Sequence, residues 1–216
     1  MSTEFASSRA DRAWFIVTRW HEYEGEARAN VLRILSIGAF YLVELFNYYG
    51  LHAGSIRLPP IASLQFHQRI TAVAVVWTIL ALLILMVQQR RIFPSGLKFL
   101  STGADLILLT TALMLGPGGG STLTVGYFVL VALAALRFSL WLVRFAALGG
   151  MLAYLLLPGC MMGWIVRDTP LPKHHQLLFL VGLGATGVIL GQVIRSVRQV
   201  AREYATQHET PAEEPR

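Results

Sequence analysis

The sequence predicts an all-α integral membrane protein in which six helices cross the bilayer as a bundle. Of the 216 residues, 55% are hydrophobic and only 14% are charged, whereas roughly a quarter of the residues of a soluble domain are charged. The mean hydropathy is +0.55. The apolar residues form long runs that are separated by short polar, glycine- or proline-containing turns. A helix of about 20 such residues covers a hydrocarbon core of about 30 Å.

Six apolar runs predict the spans and together make a membrane domain over residues 31–194. They are residues 31–49, 70–86, 97–115, 123–136, about 145–166 and 177–194. The third and fourth spans form a hairpin around the uncharged glycine turn 116–122. We expect the fifth span to kink at Pro158, because proline removes a helix hydrogen bond.

Residues 1–30 are predicted to form a cytoplasmic N-terminal segment. From Asp11 the chain repeats apolar residues at helical spacing, including Ile16, Trp20 and Tyr23, with charged residues opposite. This pattern predicts an amphipathic helix that lies on the membrane surface. A helix that docks a partner protein is the alternative.

The positive charges predict the topology. With the N-terminus inside, fourteen Lys and Arg residues fall on the inner side and four fall outside, as positive-inside topology requires. The four outer residues are Arg57, Arg69, Arg167 and Lys173. We therefore expect a multi-pass protein of the cytoplasmic membrane with both termini in the cytoplasm. The net charge of +6 follows from this arrangement and not from a nucleic-acid surface.

Two acids, Glu44 and Asp105, lie inside predicted spans, at about 9 and 15 Å from the outer ends of their helices. An ionisable group at such depth costs about 2.5 to 3.5 kcal/mol on insertion scales. Each acid should therefore face a partner or a water-filled cavity, which makes both of them candidates for a ligand or ion site. The alternative is that each is a neutral or hydrogen-bonded residue that helps to pack helices.

Polar residues gather near Glu44 at the predicted outer surface. They are Asn47, Tyr48, His52, His67, His174 and His175. With Glu44, these histidines could bind a divalent cation or change charge as the external pH falls. Their spacing matches no particular metal motif, so solvated interface histidines are the alternative.

The last span carries two packing patterns. Gly187 and Gly191 form a GxxxG pair, which lets helices approach closely. A heptad seam passes from the span into a predicted cytoplasmic helical extension, residues 195–206, and consists of Leu190, Ile194, Val197, Ala201 and Tyr204. The seam predicts a homodimer, with a chance pattern as the alternative. Residues 207–216 are polar and are expected to be disordered.

No enzyme motif is present, so we expect no catalytic activity and no cofactor. Cys160 is the only cysteine, which excludes an intramolecular disulfide and a cysteine-based zinc site.

A stretch of the membrane domain resembles a known family, the six-span input domains of bacterial sensor histidine kinases and of some membrane-bound nucleotide cyclases. The resemblance covers residues 97–157 and rests on Ala104-Asp105-Leu106, Gly118-Gly119 with Ser121, Tyr127, residues 132–137 and Tyr154. It implies a sensor whose last span passes into a cytoplasmic signalling helix. The catalytic domain of that family has no counterpart in this sequence.

We therefore expect a sensory or regulatory membrane module that acts through a partner, possible partners being a cytoplasmic kinase or cyclase. A small transporter or ion-coupled permease that uses Glu44 and Asp105 as coupling acids is the main alternative. A structural subunit of a membrane complex is the third.

Overall fold

The computed structural model describes residues 2–53, 56–58, 62–90, 96–116, 121–164 and 172–208, with side chains described for 25–50, 62–90, 96–116, 121–157 and 172–200. These residues form six α-helices, one 3-10 turn and one short β-hairpin. The elements are α1 (Ser2–Tyr49), β1 (Leu51–Ala53), β2 (Ile56–Leu58), α2 (Leu64–Gln89), α3 (Leu97–Leu115), the 3-10 turn Thr122–Val125, α4 (Gly126–Ala135), α5 (Leu140–Trp164) and α6 (Lys173–His208).

Five helical segments are long and apolar enough to cross a membrane: Gly25–Tyr49, Leu64–Gln89, Leu97–Leu115, Leu140–Leu157 and Lys173–Val200. They indicate a multi-pass membrane protein. The fourth predicted span is the shorter apolar helix Thr122–Ala135, which is about 21 Å long. Within the described residues, five of the six predicted spans correspond to helices that are long enough to cross a membrane.

α1 is a single continuous helix of 48 residues, about 72 Å long, so the predicted N-terminal helix and the first span are joined without a break. Its described apolar segment, Gly25–Tyr49, contains the predicted first span, residues 31–49. Glu26 and Asn30, which the sequence assigned to the cytoplasmic segment, are buried. They can be buried because other helices supply their polar partners, as described below.

The all-α expectation needs one small correction, because β1 and β2 pair as an antiparallel hairpin inside the predicted first loop. The hairpin pairs Leu51 with Leu58 and Ala53 with Ile56. α1 ends just before it at Gly50, which has φ 78° and donates its N–H to the carbonyl of Phe46. This left-handed cap is a common helix end and favours glycine.

α5 packs against α3, α4 and α6. Its buried residues include Leu142, Val143 and Leu157, which belong to the same hydrophobic core as Tyr127 and Leu183. α5 continues past Pro158 to Trp164, and α6 continues past Ile194 to His208. The predicted kink at Pro158 and the side chain of Cys160 lie outside the side chains that the structure describes.

The bundle has two ends, which are named the hairpin end and the turn end. The hairpin end contains the end of α1, the β-hairpin, the start of α2 and the end of α3. The turn end contains residues 136–139, which connect α4 to α5. Many large apolar side chains face outward between the two ends, among them Leu100, Ile107 and Trp141, which is the surface expected of helices in lipid.

Candidate functional site

Two helices present polar faces to each other inside the bundle. Glu26, Asn30 and Arg33 recur at spacings of four and three and therefore lie on one face of α1. Ser101 and Asp105 are four residues apart on α3. All five side chains are buried, so their hydrogen bonds have to be made within the protein.

Arg33 and Asp105 form a buried ion pair between α1 and α3. Arg33 Nε donates to Asp105 Oδ2 at 2.9 Å, and Arg33 Nη2 lies 2.8 Å from the same oxygen. Trp77 Nε1 on α2 donates to the other carboxylate oxygen, Oδ1, at 2.8 Å. Asn30 accepts from Arg33 at 2.7 Å and donates to the carbonyl of Ala81 at 3.2 Å. Three helices are therefore joined around one carboxylate.

A second buried ion pair links α1 to the turn end. Arg137 Nη2 lies 2.8 Å from Glu26 Oε1, and the guanidinium also donates to three groups on α3. These are the carbonyl of Lys98 at 3.0 Å, Thr102 Oγ1 at 2.8 Å and Ser101 Oγ at 3.1 Å. Burial lowers the pKa of the Arg137 guanidinium, and the Glu26 carboxylate opposes this effect by favouring the charged form.

The backbone at the turn end is shaped to bring Arg137 close to Glu26. A Cβ placed on Gly25 would lie 3.1 Å from the carbonyl oxygen of Leu136, so only glycine fits without a shift of this backbone. Phe138 has φ 49°, an unusual conformation for a residue other than glycine. α1 therefore approaches the turn closely, and both Gly25 and the conformation of Phe138 contribute to this contact.

The name inner network is used here for this buried set, which joins α1, α2, α3 and the turn. It consists of Glu26, Asn30, Arg33, Trp77, Ser101, Thr102, Asp105 and Arg137. Two carboxylates oppose two guanidinium groups, so the set is neutral overall. Removing one member of a buried pair typically costs about 3 to 5 kcal/mol, because it leaves a buried charge without a partner.

A cavity of about 620 Å³ lies between α1, α2 and α3 at the hairpin end. Its walls are mainly apolar and aromatic, including Ile37, Phe40, Phe66 and Leu109. Its polar lining residues are Tyr41, Glu44, Asn47, Ser63, Gln65, Arg69, Ser121 and Thr122. This volume is typical of a small-molecule site, and so is the combination of apolar walls with few polar groups.

Glu44 is the acid of this cavity. Its side chain is only 9% exposed, and Oε1 has no hydrogen-bond partner among the described residues. His67 Nδ1 lies 4.0 Å away, which is beyond hydrogen-bond distance, and also has no such partner. The His67 ring stacks on Tyr48 with centroids 4.1 Å apart.

Trp77 connects the cavity to the inner network. Its side chain lines the cavity, while its indole N–H donates to Asp105. A void of about 10 Å³ lies on the far side and is lined by Trp77 and Arg33, which is room for about one water molecule. Trp77 therefore separates the cavity from the buried charges.

The two acids that the sequence singled out have different surroundings. Glu44 and Asn47 line the cavity, whereas Asp105 lies behind Trp77 and does not line it. His174 and His175 are exposed at the start of α6, with their rings 4.5 Å apart, and are not among the lining residues. His52 pairs with Arg57 in the β-hairpin, and its side chain is not described. Within the described residues, no three His, Cys, Asp or Glu side chains are grouped as a metal would require.

The packing motif of the last span is used within the chain. A Cβ on Gly187 would lie 2.7 Å from Ala147 Cβ, and one on Gly191 would lie 3.1 Å from Leu140 Cδ1, so both glycines permit close packing of α6 on α5. Ile194 is buried and Leu190 packs against the same core. Val197 is exposed, and the side chains of Ala201 and Tyr204 lie beyond those described. The half of the seam nearest the core therefore packs inside the protomer.

Of the inner network, only Asp105 was a predicted site residue, and seven members were missed: Glu26, Asn30, Arg33, Trp77, Ser101, Thr102 and Arg137. The three charged residues had been counted as flanking or topology-setting residues. A signal was available, because Glu26, Asn30 and Arg33 share one helix face with Glu44. The partners across the bundle could not be inferred without knowing which helices touch.

No protein-family model, curated protein or solved structure matches this chain.

Proposed function

We propose that the protein is a membrane-embedded sensory module without catalytic chemistry of its own. A small ligand enters the cavity at the hairpin end, and its binding is relayed through the inner network to α6. A partner protein at the far end of α6 responds, and the resemblance to sensor input domains favours a kinase or a cyclase as that partner.

One observation carries this proposal: Trp77 takes part in both regions. A ligand that touches the indole in the cavity alters the position of the N–H that Asp105 accepts. Since Asp105 also binds Arg33, any movement of the carboxylate is transmitted to α1. The buried pairs are discrete hydrogen-bonded arrangements, which is the kind of contact that switches between states.

The turn end supports a connection from the inner network to α6. Arg137 is anchored by α1 and α3, and the next residue, Phe138, accepts a hydrogen bond through its carbonyl oxygen from Arg198 Nη2. Arg198 lies on α6, which continues to His208. A shift of the turn therefore acts directly on the helix that leaves the membrane domain.

The proposed topology has six spans in the cytoplasmic membrane with both termini inside, the short helix Thr122–Ala135 serving as the fourth. The asymmetry of Lys and Arg residues supports it. Reporter fusions after Arg91 and Arg202 should be cytoplasmic, and fusions near Gly119 and Lys173 should be external. An external reporter at Arg202 would contradict the six-span topology.

The homodimer is proposed on the exposed remainder of the seam, beginning at Val197. In a background with Cys160→Ala, cysteine at Val197 or Ala201 should crosslink between protomers better than cysteine at Arg195. Equal crosslinking at all three positions would remove the support for a dimer along this seam.

The relay is tested with spin labels in the full chain, reconstituted in lipid nanodiscs. In the Cys160→Ala background, labels at Leu148→Cys and Val200→Cys, both at exposed positions, report the distance between α5 and α6. Trp77→Phe removes the donor to Asp105 and should shift or broaden this distance distribution. Trp141→Phe, at a position 71% exposed, is the matched control and should leave it unchanged.

An unchanged distribution in Trp77→Phe would contradict the relay. The permease alternative is less well supported because Asp105, one of its two coupling acids, is already paired with Arg33 and lies outside the cavity. Ligand-dependent uptake of solute into proteoliposomes would restore that alternative.

A further inference from the structure

We infer that the cavity binds an organic cation, an ammonium compound with an apolar body, and that Glu44 is its counter-ion. The consequence of binding rests on the proposed sensory function, but the binding itself does not. The hydrogen-bonding environment of Glu44 differs from the one that a buried carboxylate requires.

A buried carboxylate requires donors or a cation, and among the described residues Glu44 has a side-chain hydrogen bond with Asn47 but no bonded cation. Its side chain is more than nine-tenths buried, yet Oε1 has no hydrogen-bond partner among the described residues. Its polar neighbours are the neutral Asn47 and the imidazole of His67 at 4.0 Å. By comparison, Asp105 accepts from both Arg33 and Trp77. An ammonium group that enters the cavity would supply the missing partner.

The cavity walls suit the rest of such a ligand. Four aromatic side chains line the space: Phe40, Tyr41, Phe66 and Trp77. Aromatic faces attract ammonium groups and also cover an apolar body. A metal ion fits less well, since Ca²⁺ takes six to eight oxygen ligands and Glu44 is the only carboxylate among the lining residues.

Arg69 also lines the cavity and favours ligands of the opposite charge. It is exposed, whereas Glu44 is buried, so water screens the charge of Arg69 more strongly. The negative charge of Glu44 is the less screened of the two, and the cavity should therefore select cations. An anionic amphiphile that binds through Arg69 is the competing outcome of the test.

The test measures binding of three probes to the full chain in nanodiscs of zwitterionic lipid. The probes are 4-phenylbutyl-trimethylammonium, its uncharged isostere with carbon in place of nitrogen, and 5-phenylpentanoate. We expect the ammonium probe to bind at least about tenfold more tightly than the isostere. Glu44→Gln should abolish this preference while leaving binding of the isostere unchanged.

Arg69→Gln is the matched control, because it removes the other charge of the lining and should leave or strengthen binding of the ammonium probe. An unaltered elution profile of Glu44→Gln on size exclusion would show that the variant is folded. Should it misfold, Glu44→Asp provides a second test, since the shorter acid should retain part of the preference for the ammonium.

Equal binding of the ammonium probe and its isostere to the native protein would overturn the inference. So would selective binding of 5-phenylpentanoate that Arg69→Gln removes. If the ammonium probe binds through Glu44 but the distance between α5 and α6 stays the same, the ligand class stands and the sensory function fails.

Discussion

The two buried acids, Glu44 and Asp105, show how one bundle holds two kinds of polar region. Asp105 accepts hydrogen bonds from Arg33 on α1 and from Trp77 on α2, and it does not line the cavity. Glu44 borders a cavity of about 620 Å³ and keeps an oxygen without a hydrogen-bond partner among the described residues. The satisfied acid holds helices together, and the unsatisfied one is available to a ligand.

Both regions are built along one face of α1. Glu26, Arg33 and Glu44 are separated by seven and eleven residues, close to two and three turns of an α-helix. The face carries both polar regions, separated by the apolar Ile37, and Trp77 of α2 lies between the network and the cavity. We expect substitutions to be costly on the network side and tolerated on the cavity side.

The largest expected effect is that of Asp105→Ala. It leaves the Arg33 guanidinium and the Trp77 N–H buried without their acceptor, which should lower the free energy of unfolding by about 3 to 5 kcal/mol. The measurement is the thermal midpoint of the purified protein in detergent. Ile107→Ala, on the outward face of the same helix, is the control and should change little.

The double variant Arg33→Met with Asp105→Leu sharpens this prediction. Because apolar residues replace both charges, stability should return to near that of the native protein. If the double variant is as unstable as Asp105→Ala, the cost comes from packing and not from an unpaired charge.

Trp77→Phe should have the next largest effect on stability. It removes a hydrogen bond to a charged acceptor, which typically contributes about 1.5 to 3 kcal/mol. The ring is kept, so the cavity wall stays largely filled. If Trp77→Phe and Trp141→Phe have the same thermal midpoint, the hydrogen bond from Trp77 to Asp105 contributes nothing to stability.

Gly25→Val tests the close contact of α1 with the turn end. Its side chain would meet the carbonyl of Leu136, which should destabilise the protein by about 1 kcal/mol after the gain in helix propensity. Gly38→Val is the matched control, because a Cβ there meets nothing within 4 Å. Equal thermal midpoints for the two variants would show that the turn can move away from α1.

Glu44→Gln should have the smallest effect on stability, within about 0.5 kcal/mol. Among the described residues the acid has only the hydrogen bond with Asn47 to lose, and the amide keeps its shape. A loss of several kcal/mol in the free energy of unfolding, seen as a clearly lower thermal midpoint, would make Glu44 a structural acid like Asp105 and contradict the contrast between the two regions.

Much of the membrane architecture could be predicted from the sequence, because apolar length is a local property. Five of the predicted spans lie within an apolar helix or nearly coincide with one, and the last part of α5 lies outside the described side chains. Glu26 was assigned to the cytoplasmic segment and Arg33 to the inner-side charges, because polar residues are expected at a membrane surface. Only their distant partners, Arg137 and Asp105, explain why they are buried.

From the sequence, a site residue could be identified only where burying a charged side chain costs free energy whatever its partners are. That argument identified Glu44 and Asp105, but it could not assign one to a cavity and the other to an ion pair. The same limit applies to Gly187 and Gly191, whose spacing predicts close packing but does not tell a neighbouring helix from a second copy of the chain.

The ion pair between Arg33 and Asp105 also sets an order of events during synthesis. The two residues are 72 positions apart, so at about 5 to 20 residues per second a ribosome needs roughly 4 to 14 s to make Asp105 after Arg33. During that interval α1 holds a cation without its final partner, at a cost of about 2.5 to 3.5 kcal/mol if it is already in lipid. Truncated chains that end before α3 should therefore leave α1 poorly inserted and exposed to membrane proteases, and chains that include α3 should be protected.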